Sequence, residues 1–501
     1  MNVDFLKGSG EMKLLDLVNK LQFIEGNDRN SLLNIDITSI EMDSRQVEQG
    51  SLFVCVKGLT LDGHHFVGEA IGNGASAIIA EQPVEADVPV LLVPNSLKAL
   101  ATLADTFYGN PSHSLNVVGV TGTNGKTTLT YLLDAIFRKA EHKTALIGTI
   151  DMKIGDESFP VQNTTPNAIF LHKNLKLMKE KGVKTVIMEV SSHALKQGRV
   201  YGVDFDHAVF TNLSQDHLDY HPNMEDYAYA KSLLFAQLGN TYTNQKKSAI
   251  INIDDEYHDV MLNATAQPVV TYSLEKPAVI QAHDYELSPS GLKFDVYTPE
   301  GSVNITTKLS GKFNIYNILA AMGVAYRYEI PLTTIQDAIK ELQGVPGRFE
   351  LVDANQPFSI IVDYAHTPDS LENVLQTIDE LKEHRVITVV GCGGDRDRSK
   401  RPKMASAAMK YSDHVIFTSD NPRTEDPHVI LADMTSHLTD DDGLFTVIES
   451  RREAIERAIH VANEGDIILI AGKGHETYQE VNGKRHHFDD REVAKEMILS
   501  P

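Results

Sequence analysis

Short apolar runs bounded by glycine, proline and asparagine alternate with amphipathic stretches along nearly the whole chain. The runs are rich in Val, Ile and Ala and too short for helices, so they predict buried strands. In the first part of the chain they fall at Ser51–Val56, Ala77–Ala80 and Val88–Val93. In the middle they fall at Leu115–Val118, Thr185–Val190, His207–Thr211 and Ser248–Ile253. A polar stretch over Val279–Leu309 has the look of antiparallel strands, and a helix is predicted from Asn314 to Tyr328. The last part repeats the strand pattern at Ser359–Val362, Arg385–Val390, His414–Thr418 and Asp466–Ile470. Strands separated by helices imply an α/β protein with mainly parallel sheets. Gly109-Asn-Pro-Ser112 reads as one boundary and Gly344-Val-Pro-Gly-Arg348 as a hinge or linker into a third domain. Three domains are expected, at 1–113, 114–344 and 345–501, with residues 1–11 a flexible extension.

One junction carries more chemistry than the others. Val117–Thr128 reads VVGVTGTNGKTT, and Leu129, Leu132, Leu133, Ile136 and Phe137 then recur at helical spacing. A strand, a glycine loop and a helix in that order aim backbone N–H groups and a helix N-terminus at one spot, which suits a polyphosphate. Lys126 is placed to reach the outer phosphates of ATP or GTP, and the Thr127 hydroxyl to ligate Mg²⁺. The loop departs from the common G-x-x-x-x-G-K-[ST] form, because Val120 stands where the first glycine would be. A tight turn with an exposed lysine is the bland alternative.

Composition narrows the partners. At 501 residues, about three domains are the prior. The chain carries 46 Lys and Arg against 69 Asp and Glu, a formal net charge of −23. Such a surface repels nucleic acid and anionic membrane at long range, so neither is expected as a partner. No apolar run approaches the ~20 residues of a membrane span, and no secretory leader is recognised. Cys55 and Cys392 both lie in apolar strand-like runs; two buried thiols without framework spacing suit a reducing cytoplasm.

In open α/β sheets, ligands gather beyond the carboxyl ends of the strands. Glu189, ending the run TVIME, is placed there to hold Mg²⁺ directly or through water; a solvated strand-end carboxylate is the alternative. The next strand leads into TNLSQDHLDYH, where position beside the metal singles out His217 over His221. Asp420-Asn421-Pro422-Arg423 follows the strand His414–Thr418. A guanidinium grips a carboxylate with two parallel hydrogen bonds, which lysine cannot imitate. The competing reading is a surface turn with a solvated arginine.

GTNGKTT, MEVSSHAL, TNLSQDHLDYH with Tyr229-Ala-Lys231, FNIYN, GVPGRFE, DYAHTPDSL, GCGGDRDRSKRP, DNPRTEDP and AGKGHE occur in this order. From about Ser44 to Glu476 the chain thereby resembles the Mur ligases. The resemblance implies an N-terminal UDP-binding α/β domain, a central P-loop ATPase-like domain and a C-terminal Rossmann-like α/β domain. It implies an ATP-dependent acid–amino-acid ligase, monomeric and cytoplasmic, that serves peptidoglycan precursor synthesis. UDP-MurNAc-dipeptide and meso-diaminopimelate would be its small-molecule substrates.

By position, the resemblance gives Gly122, Thr123, Asn124, Gly125, Lys126, Thr127 and Thr128 to the ATP phosphates. It gives Asn317, Arg348 and Asp363 to adenine, ribose or phosphate. Thr127, Glu189, His217 and Lys231 fall near Mg²⁺, with Lys126, Lys231 and His217 as the candidate catalytic groups. Ser44, Asn163, Thr164, Thr165, Ser191, Gln197 and Arg199 match positions that hold the UDP-sugar peptide. Arg396, Asp420, Asn421, Pro422, Arg423, Gly472 and Glu476 match the amino-acid site. There Arg423 would meet the distal carboxylate of diaminopimelate, and Asp420 and Glu476 its ammonium. Lys231 matches a lysine that CO₂ carbamylates; read from residues alone, it is a surface lysine on a helix Tyr227–Leu238. A ligase extending folate with glutamate, a lysine-adding ligase and a nucleotide-gated switch are the rival readings.

Overall fold

The computed structural model describes residues 11–21, 25–26, 32, 34–58, 61–218, 220–240, 247–439 and 443–499. Apart from Glu11, the expected flexible extension lies outside the described residues. The chain divides into two compact units, one of Met1–Lys126, Phe137–Leu213 and His217–Thr271, the other of Thr127–Ile136, Ser214–Asp216 and Tyr272–Pro501.

The first unit holds two sheets. A five-stranded sheet runs in the order Glu25–Gly26, Val90–Leu92, Ala75–Ala80, Ser51–Val54 and Ser39–Glu41. All neighbours in it are parallel except the first pair. Side chains alternate between the faces of a strand. Leu52, Val54, Ala77 and Ile79 therefore join one core with the helix Ser96–Phe107, while Phe53, Ile78 and Ala80 join another. Ile169, from the helix Ala168–Glu180, packs against the first of these cores.

The larger sheet of this unit has the order Glu157–Phe159, Met152–Ile154, Thr144–Ile147, Thr185–Glu189, Asn116–Thr121, His207–Phe210, Ser248–Asn252 and Val269–Ser273. The strand that enters the glycine loop lies between two parallel neighbours, Thr185–Glu189 and His207–Phe210. Their shared direction brings Gly122, Glu189 and Thr211 to one end of the sheet, as expected for a ligand site of this architecture.

In the second unit, Ile280–Ser288, Gly291–Thr298 and Gly301–Thr307 form an antiparallel meander, as expected for that polar stretch. The helices Lys312–Arg327 and Leu332–Glu341 follow. A six-stranded sheet then has the order Glu350–Leu351, Ser359–Asp363, Ile467–Ala471, Val386–Val390, His414–Phe417 and Phe445–Val447. It is parallel after the first pair. Ile361, Val390 and Leu469 face one core, and Ile360, Val389 and Ile468 the other.

Every strand expected from the pattern is present, most of them shifted at an end by one or two residues, where hydrogen-bond pairing and side-chain burial part company. Two expectations need correction. The helix carrying Lys231 spans Met224–Ala236 and starts three residues earlier than expected, because the Asn223 side chain caps it by accepting from Asp226 N. Cys392 lies in the turn after Val386–Val390, not in a strand. Within Gly344–Arg348, Val345 is fully buried and its carbonyl accepts from Arg348 N, so the segment is a packed turn.

Asp206 aligns the start of the larger sheet. Its Oδ2 accepts from Val117 N at 2.7 Å, and its own N–H donates to Val117 O at 2.9 Å. Burial pushes this carboxyl from 3.8 up to about 6. The folded state therefore holds the proton more tightly, and stability is lost as pH rises through that window. Relative to the parent, Asp206→Asn should gain up to about 3 kcal/mol between about pH 4 and pH 7, measured by urea unfolding. A difference that does not vary with pH contradicts the buried-carboxyl account.

Candidate functional site

The nucleotide loop is shaped by one close approach. Gly122 has φ +151°, and a Cβ on it would lie 1.8 Å from Thr211 Oγ1. Only glycine fits there. Thr211 Oγ1 in turn donates to Asn124 O at 2.7 Å, and Asn124 N donates to Asn212 Oδ1 at 2.9 Å. Thr123 N donates to Asn212 O at 2.8 Å. The N–H groups of Thr123 and Asn124 therefore brace the loop against the neighbouring strand, which narrows the expectation that the whole segment faces phosphate. The first turn of the helix Lys126–Lys139 remains the natural anion cradle, since its leading N–H groups have no partner within the helix.

Two lysines converge on one oxygen. Gly122 O accepts from Lys126 Nζ at 3.0 Å and from Lys231 Nζ at 2.7 Å. Lys126 Nζ also donates to Thr123 O at 2.8 Å. Lys231 is 1% exposed, with the Tyr227 ring centroid 4.3 Å from its Nζ. It is no surface lysine, and burying an ammonium demands compensation from its surroundings. The Tyr227 hydroxyl meets Thr123 Oγ1 at 3.2 Å.

Glu189 is 1% exposed, so the solvated reading fails. Its Oε1 accepts from Thr149 N and its Oε2 from Thr149 Oγ1, at 2.9 and 3.0 Å. Thr164 Oγ1 meets Thr149 Oγ1 at 3.0 Å, and Thr165 Oγ1 donates to Glu189 O at 2.8 Å. His217 has φ +55° and stacks edge-on to His193, with ring centroids 4.9 Å apart. His221 is structural: fully buried, it bridges Asp226 and Ser192 Oγ at 2.7 and 3.0 Å.

The same network continues through residues assigned to the UDP-sugar peptide. Ser191 N donates to Thr165 Oγ1, while the Ser191 hydroxyl caps the short helix Ser192–Lys196. Arg199 donates through Nε and Nη2 to Gln197 Oε1, and through Nη1 to Thr165 O. Ser44 stands apart from this network, with its hydroxyl donating to Glu69 Oε2 at 2.7 Å. Asn163 is exposed on the loop before Thr164.

Within the second unit, Thr127 and Thr128 are buried at the head of their helix, and Thr127 Oγ1 accepts from Arg348 Nη2 at 3.2 Å. The Arg348 guanidinium lies 5.0 Å from the Tyr364 ring centroid. Asp363 accepts from Phe349 N and Ala365 N at 2.7 and 2.8 Å; burial raises its pKa and the Arg348 charge opposes that. Asn317 is buried in the helix Lys312–Arg327 and donates to Asn314 Oδ1 at 3.0 Å. Burial, aided by Arg348, pushes His475 down to about 4, so that it is neutral at pH 7.

The Asp420–Arg423 turn is built, not loose. Arg423 sits at φ +52° and its Nη1 donates to Gly394 O at 2.6 Å. Arg423 N donates to Glu480 O, and Asn421 Nδ2 to Glu476 Oε2 at 2.9 Å. Pro422 is buried between them, whereas Arg396 is exposed. Gly472 follows the strand Ile467–Ala471, and a Cβ on it would lie 2.8 Å from Asp420 Oδ2. Sequence reading missed two residues in this region. Arg401 is 1% exposed and ties Glu425 to Asp433. Lys473 is fully buried against Asn421 and Glu476; the one signal for it is a lysine between two glycines directly after a strand.

Comparison with known proteins follows this geometry closely. The Mur ligase middle domain matches residues 120–325, the Mur ligase glutamate ligase domain 347–474, and the Mur ligase family catalytic domain 36–108. A UDP-N-acetylmuramoyl-L-alanyl-D-glutamate--2,6-diaminopimelate ligase of Oceanobacillus iheyensis is 54% identical over 490 residues, 97% of this chain and 99% of that protein. The chain belongs to the Mur ligase family. It is an ATP-dependent ligase. A Bacillus cereus protein of the same name is 56% identical over 466 residues, 93% of this chain and 94% of that protein. A solved structure of a ligase so named superposes with a TM-score of 0.69 at 36% identity, covering 93% of this Mur ligase and 96% of that chain. No helix among the described residues is long and apolar enough to cross a membrane.

Gly122→Ala tests the loop directly. It should weaken ATP binding at least about tenfold, because the loop must move off Thr211 to admit a methyl group. Unchanged ATP affinity, measured by isothermal titration, contradicts the close-approach argument.

Proposed function

We propose that this Mur ligase joins meso-2,6-diaminopimelate to UDP-MurNAc-L-Ala-D-Glu at the expense of ATP, as a cytoplasmic monomer with domains 1–113, 114–344 and 345–501. The observation that carries the reading is the Asp420–Arg423 turn after the strand His414–Phe417, in which a guanidinium and a carboxylate are each held by a backbone hydrogen bond. A distal centre bearing both an ammonium and a carboxylate matches that pair, and the names of the near end-to-end relatives point the same way.

The D-glutamyl γ-carboxylate attacks the γ-phosphorus of ATP, and ADP leaves. Lys126 and the N–H groups at the head of the helix Lys126–Lys139 spread the charge developing on the transferring phosphoryl group. The amine of diaminopimelate, having lost its extra proton to a base for which His217 and the Lys231 carbamate are the candidates, attacks the acyl phosphate. The tetrahedral intermediate loses the remaining amine proton, collapses to the amide and releases inorganic phosphate. Gln197 and Arg199 hold the UDP-sugar peptide together with Ser44, Asn163, Thr164, Thr165 and Ser191. Asn317, Arg348 and Asp363 serve the nucleotide. Arg396, Arg423, Asp420, Asn421, Pro422, Gly472 and Glu476 receive the amino acid.

The donor chemistry fits Mg²⁺. Thr127 and Glu189 offer oxygen, the ligand type that Mg²⁺ prefers, while the His217 imidazole better suits the ion's water than the ion itself. Mg²⁺ would neutralise charge on the phosphates. Among the described residues no three His, Cys, Asp or Glu side chains cluster to hold a metal unaided, so phosphate and water would complete its shell. Two ammonium groups on Gly122 O support a carbamate at Lys231. The neutral amine adds CO₂ and loses a proton, and a cation that repels Lys126 becomes an anion that attracts it.

With ATP, Mg²⁺ and the UDP-dipeptide present, phosphate release should depend on meso-diaminopimelate; no such dependence contradicts the assignment. Arg423→Ala should raise the KM for diaminopimelate at least about tenfold and leave that for ATP unchanged, whereas equal losses contradict its role. Protein incubated with ¹³C-bicarbonate should show a carbamate resonance that Lys231→Ala lacks. The same resonance in both proteins, or in neither, contradicts the modification.

A further inference from the structure

The amino-acid site contains a buried cation that the mechanism above does not use. Lys473 is fully buried, and its Nζ donates to Glu476 Oε2 at 3.0 Å and to Asn421 Oδ1 at 3.2 Å. Asn421 closes the triangle through Nδ2 to the same Glu476 oxygen at 2.9 Å, and Asn421 Oδ1 also accepts from Glu480 N at 2.9 Å. The amide can sit only one way round, since its oxygen meets two donors and its nitrogen meets a carboxylate. Glu476 Oε2 is thus held by two donors, one of them charged.

Asp420 differs. Its Oδ1 accepts only a backbone N–H, from Asn421 at 2.6 Å, and its Oδ2 lies against the bare α-carbon of Gly472. Counting the charges, Asp420 and Glu476 balance Lys473 and Arg423. The Arg451–Asp490 pair, which reaches this place through Arg451 Nη2 to Ala471 O, is fully buried and neutral as a pair. Arg396 is exposed.

Resting on the amino-acid site proposed above, we infer that Lys473 is a positioning residue that determines specificity. It cancels Glu476 and leaves Asp420 as the carboxylate that meets the substrate ammonium. The pocket is then neutral overall and matched to a zwitterionic distal centre. Without Lys473, Glu476 becomes a second uncompensated anion, and the pocket favours an amino acid whose distal end is a bare ammonium, such as L-lysine.

The test is the ratio of kcat/KM for meso-diaminopimelate to that for L-lysine, in the full chain with ATP and UDP-dipeptide. The parent enzyme comes first: absent diaminopimelate-dependent phosphate release defeats the function proposed above, independently of Lys473. Given that activity, Lys473→Met should lower the ratio at least about tenfold with the KM for ATP unchanged. Glu476→Gln should move the ratio the opposite way, because Lys473 is then uncompensated. Lys473→Met/Glu476→Gln should return it to within about threefold of the parent. A ratio unmoved in a folded Lys473→Met protein overturns the inference. Should Lys473→Met fail to fold, a ratio in Glu476→Gln that is unchanged or falls overturns it equally.

Discussion

The carbonyl oxygen of Gly122 is the point on which the nucleotide end of this Mur ligase is built. It accepts from Lys126, four residues on at the head of the following helix, and from Lys231, more than a hundred residues away on another helix. The α-carbon of the same residue has no room for a methyl group because Thr211 fills the space. A single glycine thus fixes the loop to the neighbouring strand and gathers two positive charges beside a helix N-terminus. Like charges in a poorly solvated site repel, so the arrangement favours whatever brings negative charge to it. A triphosphate does so, and so does a carbamate on one of the lysines.

The opposite solution governs the amino-acid end. There Lys473, Asn421 and Glu476 are joined by hydrogen bonds, and Arg423 is held by the backbone oxygen of Gly394. On the proposed assignment, one region gathers positive charge for an anion, while the other would meet a group bearing both signs. Parallel strands explain how each is assembled: the turns after Asn116–Thr121 and Thr185–Glu189 build the first, and those after Val386–Val390, His414–Phe417 and Ile467–Ala471 the second.

Much of this was legible in the chain. The glycine loop, the strand runs and the DNPR turn declare themselves because local spacing dictates them: a strand needs apolar residues, a tight approach needs glycine, a two-pronged grip needs arginine. What stayed hidden depends on partners distant in sequence. Nothing local distinguishes Lys231 on its helix from a solvated lysine, and only the fold brings it to Gly122. Asn212 looked like one polar residue among many, yet it occupies the N–H groups of Thr123 and Asn124 that the loop pattern would give to phosphate. Lys473 and Arg401 are not singled out by their sequence, because lysine and arginine are rarely buried, and only their carboxylate partners explain the exception. The apolar surroundings of Cys392 suggested a strand; the residue lies in the following turn, where burial still pushes its thiol up to about 12.

The central claim is that ATP activates a substrate carboxylate as an acyl phosphate before the amine attacks. The most direct measurement follows the oxygen. UDP-dipeptide labelled with ¹⁸O in the D-glutamyl γ-carboxylate is turned over with ATP and diaminopimelate, and the released phosphate is analysed by mass spectrometry. The account predicts one labelled oxygen in each phosphate derived from fully labelled carboxylate, because the bridging oxygen leaves with phosphorus. Unlabelled phosphate, formed while amide accumulates, would contradict it.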